Sequence, residues 1–301
     1  MNSKNIFRAE RQSLMTILLA VLFLTAAVVF ASPVYAGTSK FTYQHSYEEN
    51  VIRVYRGETL VRTVYPNQYR IESMAAISGN KLYYVEGQDE AGYTLWKYSI
   101  KSGTKTCLCT LPSDYIIWGV QDVYGGCLYL EAGNPSDNSA CYRYYVKKNK
   151  LEKISEAGFQ GRFENYIICD PSGYYGDAGN FIPIYIYNAK TGKGKTLEAK
   201  SGGYSLVGGK VYYSACLDRS LSYIPYGESG VPKPLYYAVK VYDLKTGATK
   251  TLVKKLKATY THAFSKKNIY LQKGGKYYRY SISKKKATKL SWTKYRSIIW
   301  G

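Results

Sequence analysis

The sequence predicts an all-β fold: a six-bladed β-propeller of four-stranded antiparallel blades. Two observations predict it. One strand-forming unit recurs along the chain, and no capped helical pattern of twelve residues interrupts it. Composition agrees, since 35 of the 301 residues are Tyr. Tyrosine suits half-buried strand positions, where the ring packs and the hydroxyl reaches water or a partner.

The recurring unit opens with two small or polar residues followed by a strand that alternates apolar residues and Tyr. Five copies begin at residues 79, 125, 164, 208 and 266, at offsets of 46, 39, 44 and 58 residues. They read GNKLYY, GGCLYL, ENYIIC, GGKVYY and KKNIYL. A period of this length indicates a repeat architecture rather than separate ordinary domains.

A second strand follows in the unit and runs into a hairpin turn. It reads LWKYSIKSG at 95–103, IYIYNAKTG at 184–192, VKVYDLKTG at 239–247 and YYRYSISK at 277–284. Gly suits the positive-φ position of such a turn. A further strand follows, as at 249–253, and another precedes each unit, as at 115–119. Four strands in about 44 residues is the size of a propeller blade.

The two ends predict how the ring closes. The last residues, Ile298 to Gly301, repeat Ile116 to Gly119, which we assign to an inner first strand. The first blade starts instead with its second strand near 40–43, followed by strands near 51–55 and 59–65. We therefore expect the C-terminal strand to join the N-terminal blade, which removes an exposed sheet edge. Five or seven blades remain alternatives if the interval of 58 residues hides further strands.

The N-terminal residues 1–36 have the features of a signal peptide. A basic start is followed by the uncharged run Leu14 to Phe30 and by a small-residue cleavage pattern, Val34 to Ala36. We predict a single propeller domain over 37–301, secreted or held at the cell surface. Retention of the segment as an anchor is the alternative, and no later segment is long and apolar enough to span a membrane.

The six cysteines and two histidines predict neither a metal site nor a cofactor. The spacing contains no paired CxxC, and two imidazoles are few for zinc. An even cysteine count in an exported protein permits disulfides, and the redox state stays open. Cys127 and Cys141 lie at opposite ends of one predicted hairpin, so we expect no bond between them.

The predicted mature part is strongly basic, with 39 basic and 20 acidic residues. Such a charge attracts polyanions. The hairpin turns after the third strands hold many lysines, and we select as polyanion-binding candidates Lys147, Lys148, Lys284, Lys285 and Lys286. The alternative is that these lysines keep a Tyr-rich protein soluble and guard its strands against aggregation.

Two long loops between second and third strands are the predicted ligand-binding site, because long loops on a rigid scaffold often carry function. Acidic groups beside Tyr rings could stack on a sugar or hold a peptide. The candidates in the loops at 170–181 and 214–235 are Asp170, Tyr174, Tyr175, Asp177, Asp218, Arg219, Tyr223 and Tyr226. Tyr residues that only pack on the blades are the alternative.

The units of the type KLYY and VYDLKTG resemble those of TolB-like six-bladed β-propellers, and especially of Tyr-rich secreted propeller domains from Gram-positive bacteria. The resemblance spans about 38–301. It implies a fold and not a function, because this fold hosts binders, scaffolds and some enzymes. The repeated residues are structural, so no functional residue is carried over.

We predict a secreted, monomeric, non-enzymatic binding or scaffold propeller. Its expected partner is a glycan, an anionic cell-wall polymer or a protein, without specific nucleic-acid binding. We assign no catalytic residue, since the chain has no Gly-x-Ser-x-Gly nucleophile motif. The alternative is a carbohydrate-acting enzyme, a lyase or glycosidase, with its site at the mouth of the central channel.

Overall fold

Antiparallel strands connected in chain order make up almost the whole fold. The computed structural model describes residues 40–88, 92–111, 116–133, 139–170, 181–227, 230 and 232–299. These residues form 23 strands and one short helix. None of their helices is long and apolar enough to cross a membrane.

The first two sheets are a three-stranded meander and a sheet whose innermost strand is interrupted. The first sheet consists of β1 (Thr42–Ser46), β2 (Val51–Arg56) and β3 (Thr59–Val64). The second consists of β4 (Arg70–Ile71) and β5 (Ala76–Ser78), which both pair with β6 (Lys81–Gln88), and of β7 (Gly92–Ser99) and β8 (Lys105–Leu111).

The third and fifth sheets are regular four-stranded meanders. The third consists of β9 (Ile116–Tyr124), β10 (Cys127–Gly133), β11 (Ser139–Tyr145) and β12 (Lys150–Ser155). The fifth consists of β20 (Tyr260–Phe264), β21 (Asn268–Lys273), β22 (Lys276–Ser281) and β23 (Lys286–Leu290).

The fourth sheet has seven strands and contains two four-stranded runs that share one strand. Its strands are β13 (Gly158–Phe163), β14 (Tyr166–Asp170), β15 (Ile182–Asn188), β16 (Lys193–Val207), β17 (Lys210–Cys216), β18 (Leu235–Asp243) and β19 (Thr249–Ala258). The first part of β16 pairs with β15 and the last part with β17. The outer strand of one meander therefore continues as the inner strand of the next.

The strands predicted from the repeat are confirmed. The five copies of the first motif form β6, β10, β14, β17 and β21, and the second motif forms β7, β15, β18 and β22. Leu82, Leu128, Ile167, Val211 and Ile269, at the same position of the five copies, have no exposed surface. In β10, β14 and β17 every residue after the first is buried, so both faces of these strands lie in the core. Burial of both faces drives these strands into packed sheets.

The predicted closing strand at the C-terminus is wrong. Residues Trp292–Ile299 form a helix, α1, and the first sheet keeps β1 as an unpaired edge among the described residues. Ser291 caps the helix, since its Oγ accepts a hydrogen bond from the amide of Lys294 at 3.3 Å. Tyr295 is buried on β22, where its ring centroid lies 4.5 Å from that of Tyr277. The cap and this buried aromatic contact stabilise a helix where the repetition of residues 116–119 predicted a strand.

The cysteines are free thiols among the described residues. Cys127 pairs with Tyr145 in the β10–β11 hairpin, whereas Cys141 pairs with Glu131 at the other end. The expectation that Cys127 and Cys141 do not bond is thus confirmed. Cys127, Cys141 and Cys169 all pack in the core cluster between the third and fourth sheets, where a thiol behaves as a small apolar group.

Candidate functional site

The connection between β17 and β18 projects aromatic side chains from an anchored backbone. Ile224 is fully buried in the core cluster of β18, β19 and the fifth sheet. Tyr226 forms a β-bridge with Pro232, and the amide of Lys233 donates to the carbonyl of Pro225 at 2.7 Å. The described part of the connection is therefore an anchored platform rather than a loop held only at its ends.

Four large hydrophobic side chains are exposed on this platform, and we call them the aromatic surface: Leu217 (46% exposed), Tyr223 (59%), Tyr226 (45%) and Tyr236 (44%). They make up half of the exposed large hydrophobic side chains of the described residues. The amide of Leu217 donates to the carbonyl of Tyr236 at 2.9 Å, so the two ends of the connection are adjacent. Leu217 and Tyr236 are thus neighbours, and Tyr223 and Tyr226 are exposed along the same connection. Exposed apolar side chains of this kind are candidates for a binding site.

Two lysines stand over one ring of the aromatic surface. Lys255 Nζ lies 4.2 Å from the centroid of Tyr236 and Lys257 Nζ lies 5.6 Å from it. Cations at these distances are attracted to the negative face of the ring. The ring thus combines an apolar face with positive charge, which suits a ligand that carries both an apolar surface and negative groups.

Asp218 and Arg219, two predicted ligand-binding residues, instead shape the connection. The Asp218 carboxylate accepts hydrogen bonds from the amide and hydroxyl of Ser220 at 3.0 and 2.6 Å, and the hydroxyl bond lowers the pKa of Asp218 most. Arg219 donates two hydrogen bonds to buried Glu198, at 2.5 and 3.1 Å. Burial alone would raise the pKa of Glu198, but the bonds from Arg219 and from the Lys200 amide lower it.

Asp170, also a predicted ligand-binding residue, is 3% exposed at the end of β14. Tyr204 Oη donates to its carboxylate at 2.5 Å. Glu131 lies within β10 and is 5% exposed. Gln121 Nε2 donates to Glu131 at 2.5 Å. Burial, and next the charge of Asp170, raise the pKa of Glu131 to about 7. We call Glu131 of the third sheet and Asp170 of the fourth sheet the carboxyl pair, because the charge of Asp170 acts on Glu131.

A signal for this carboxyl pair was present in the repeat. Glu131 and Asp170 both occupy the seventh position of the recurring unit, where the following copies have Ser214 and Gln272. Aligning the copies beyond their sixth residue reveals this polar position. Among the described residues, no group of three His, Cys, Asp or Glu side chains is placed to hold a metal ion.

The other predicted site residues are divided between exposed turns and the part of the chain outside the described residues. Tyr174, Tyr175 and Asp177 fall in 171–180, which the structure does not describe, and they stay predictions. The polyanion-binding candidates Lys147, Lys148, Lys284, Lys285 and Lys286 are exposed. Lys148 Nζ lies 5.7 Å from the ring centroid of Tyr145.

No protein-family model and no curated protein matches the chain. Solved structures similar to it include TolB and other β-propeller proteins. TolB from Acinetobacter baumannii is 14% identical over 83% of this chain, with a TM-score of 0.40, and the chain covers only 63% of that protein. The β-propeller domain of the Trilobed protease from Pyrococcus furiosus is 12% identical over 73% of this chain and 70% of its own, with a TM-score of 0.38.

Enzymes are also among the similar structures. Oligogalacturonate lyase from Vibrio parahaemolyticus is 11% identical over 76% of this chain and 72% of its own, with a TM-score of 0.39. Likenesses at these identities and scores carry no conclusion about activity, because one fold hosts many functions. The function therefore has to be argued from the side chains of this chain.

Proposed function

We propose that this chain is an exported binding propeller whose aromatic surface recognises a glycan. In this proposal residues 1–36 are a cleaved signal peptide and the 23 strands form six blades, with the seven-stranded sheet counted as two. The exposure of Tyr223, Tyr226 and Tyr236 on an anchored connection carries the proposal. Tyr rings offer a flat apolar face for a sugar ring, and their hydroxyls can bind its hydroxyl groups.

Anchoring matters to this proposal as much as exposure does. A side chain that is already held in place loses little conformational freedom when a ligand binds, so more of the contact energy appears as affinity. Ile224, the Tyr226–Pro232 bridge and the Glu198–Arg219 pair all restrain the connection before any ligand arrives. Asp218 and Arg219 serve the proposed site as supports of this kind.

The test compares two pairs of exposed tyrosines. The double variant Tyr223→Ala/Tyr226→Ala removes rings of the aromatic surface, and Tyr47→Ala/Tyr65→Ala removes rings that are 53% and 63% exposed in the first sheet region. We expect the first variant to lose about tenfold or more in affinity for soluble polysaccharides in affinity electrophoresis, which corresponds to about 1.4 kcal/mol. The control variant should bind as the wild type does. Equal losses in both variants, or none in the first, would refute the proposed site.

A carbohydrate-acting enzyme is the second candidate, and the carboxyl pair favours it. A carboxyl group with a pKa near neutrality beside a second carboxyl group is an arrangement suited to general acid and base catalysis. Incubating the wild type with neutral and acidic polysaccharides, and measuring new reducing ends and the absorbance of unsaturated products, tests this candidate. Turnover that disappears in Glu131→Gln while polysaccharide binding persists would favour the enzyme over the binder.

A further inference from the structure

The chain has no acidic residue after Asp243. The last 58 residues, 244–301, contain 14 Lys and 2 Arg without any Asp or Glu, whereas residues 1–243 contain 26 basic and 21 acidic residues. Most of the net charge of +21 therefore lies in the last fifth of the chain. This part forms β19, the fifth sheet and helix α1.

These positive charges lie on one packed body and face solvent. Leu256 of β19 shares a core cluster with Ile269 and Leu271 of β21, so β19 and the fifth sheet pack together. All 16 basic side chains of 244–301 are exposed. Lys245 of this set pairs with Glu164. Repulsion among so many exposed cations is a cost that a bound polyanion would remove.

Two outer strands carry part of this charge. β19 and β23 are the outermost strands of the fourth and fifth sheets. On β19 the exposed lysines are Lys250, Lys254, Lys255 and Lys257, and on β23 they are Lys286 and Lys289. Tyr236 pairs with Lys257 in the β18–β19 register, so the β19 lysines adjoin the aromatic surface directly.

The scarcity of arginine among these cations disfavours a nucleic acid as the partner. Arginine is the usual residue for stacking on bases, and here 14 of 16 cations are lysine. Lysine ammonium groups on flexible stems suit a polymer whose charges are spaced along a hydrophilic chain. The adjoining Tyr ring offers such a chain a stacking face.

We propose that the outer edges of β19 and β23 bind an acidic polysaccharide whose carboxylates meet Lys254, Lys255, Lys257, Lys286 and Lys289. This inference rests on the proposed function, since the same polymer would reach these lysines from the aromatic surface. Because the charges are exposed, the interaction is screened beyond about 8–10 Å at physiological salt. Binding of the acidic polymer must therefore weaken steeply as salt is added.

The experiment uses two polymers with one backbone, neutral hydroxyethyl cellulose and anionic carboxymethyl cellulose. The test variant changes Lys254, Lys255, Lys257, Lys286 and Lys289 to Gln. The control variant removes the same charge from exposed turns of the third and fourth sheets by changing Lys147, Lys148, Lys150, Lys190 and Lys193 to Gln. Affinity electrophoresis at two salt concentrations measures binding, and circular dichroism confirms folding.

We expect the wild type to bind carboxymethyl cellulose at least tenfold more tightly than hydroxyethyl cellulose at low salt. The test variant should lose this preference, while the control variant should retain most of it. Equal losses in the two lysine variants would overturn the proposal. Tighter binding to single-stranded DNA or to phosphatidylglycerol vesicles than to carboxymethyl cellulose would overturn it as well.

The two proposals fail in different ways. If Tyr223→Ala/Tyr226→Ala binds both polymers as the wild type does, the aromatic surface is refuted and the lysine surface is judged on its own variant. If the wild type binds both polymers equally at low salt, the acidic polysaccharide is refuted and glycan recognition stands. A wild type that binds neither polymer refutes both.

Discussion

Removal of the buried charge at Glu131 should stabilise the protein at alkaline pH. The substitution Glu131→Gln keeps the shape of the side chain, and its amide oxygen can still accept the hydrogen bond that Gln121 Nε2 donates. Its new amide group can donate to the neighbouring Asp170. Unlike Glu131, it has no proton to lose as the pH rises.

The magnitude follows from the pKa of Glu131, which rises from 4.5 to about 7 because of burial and then of the charge of Asp170. A shift of this size corresponds to about 3 kcal/mol. Since the folded pKa is the higher one, the native state holds more protons than the unfolded chain between about pH 4.5 and 7. The wild-type free energy of unfolding should therefore fall with rising pH across this window.

Urea unfolding at pH 4.5 and pH 8 measures the effect. We expect Glu131→Gln to be near the wild type at pH 4.5 and more stable than it by up to about 3 kcal/mol at pH 8. Glu156→Gln is the matched control, because the Glu156 side chain is 81% exposed and its pair with Lys153 lies at the surface. The reasoning is refuted if Glu131→Gln is no more stable than the wild type at pH 8. It is also refuted if the stability of the wild type, measured relative to Glu131→Gln, rises from pH 4.5 to pH 8.

Two further substitutions test the contacts between sheets. Gly203 has φ +140°, and a β-carbon there would overlap the carbonyl oxygen of Thr261 on β20, so Gly203→Ala should lower the free energy of unfolding by at least about 2 kcal/mol. Gly57 also has a positive φ but has open space around it, so Gly57→Ala adds backbone strain without an atomic overlap. It should lower the free energy of unfolding clearly less than Gly203→Ala does. Arg162 of β13 pairs with Asp122 of β9, and these side chains are only 16% and 9% exposed. Arg162→Ala should cost about 3 kcal/mol because it leaves a buried carboxylate unpaired, and in guanidinium unfolding the double variant Arg162→Met/Asp122→Asn should recover part of that loss.

The strands could be predicted because each copy of the repeat contains the same run of apolar and Tyr residues. This run, which forms β6, β10, β14, β17 and β21, can be recognised without knowledge of distant partners. The C-terminal helix could not be predicted in this way. The repetition of residues 116–119 at 298–301 predicted a strand, but burial of Tyr295 against Tyr277 depends on a contact with β22 that the repeat does not contain.

The same limit applies to the candidate site. Tyr223 and Tyr226 were predicted from a long, Tyr-rich loop, and the structure places both on the exposed platform. Arg219 was predicted to face a ligand, yet it binds Glu198, 21 residues earlier in the chain. Such a pairing follows from the register of β16 against β17, and a single sequence does not disclose it. The Tyr236 ring was missed because it lies inside β18, where Tyr is ordinarily a packing residue.

The carboxyl pair of Glu131 and Asp170 could have been predicted in part, because both residues occupy one position of the repeat. Copies of one unit place the same position at corresponding points of successive meanders, so polar residues at that position in neighbouring copies come close together. The seventh position reads Val85, Glu131, Asp170, Ser214 and Gln272 along the chain. Only the second and third copies have acids there, and the charge of Asp170 raises the pKa of Glu131. Had the two acids stood in copies that are not neighbours, burial would still raise the pKa of Glu131, but the charge of Asp170 would not raise it further. The order of the copies, rather than the presence of the acids, therefore determines the coupling.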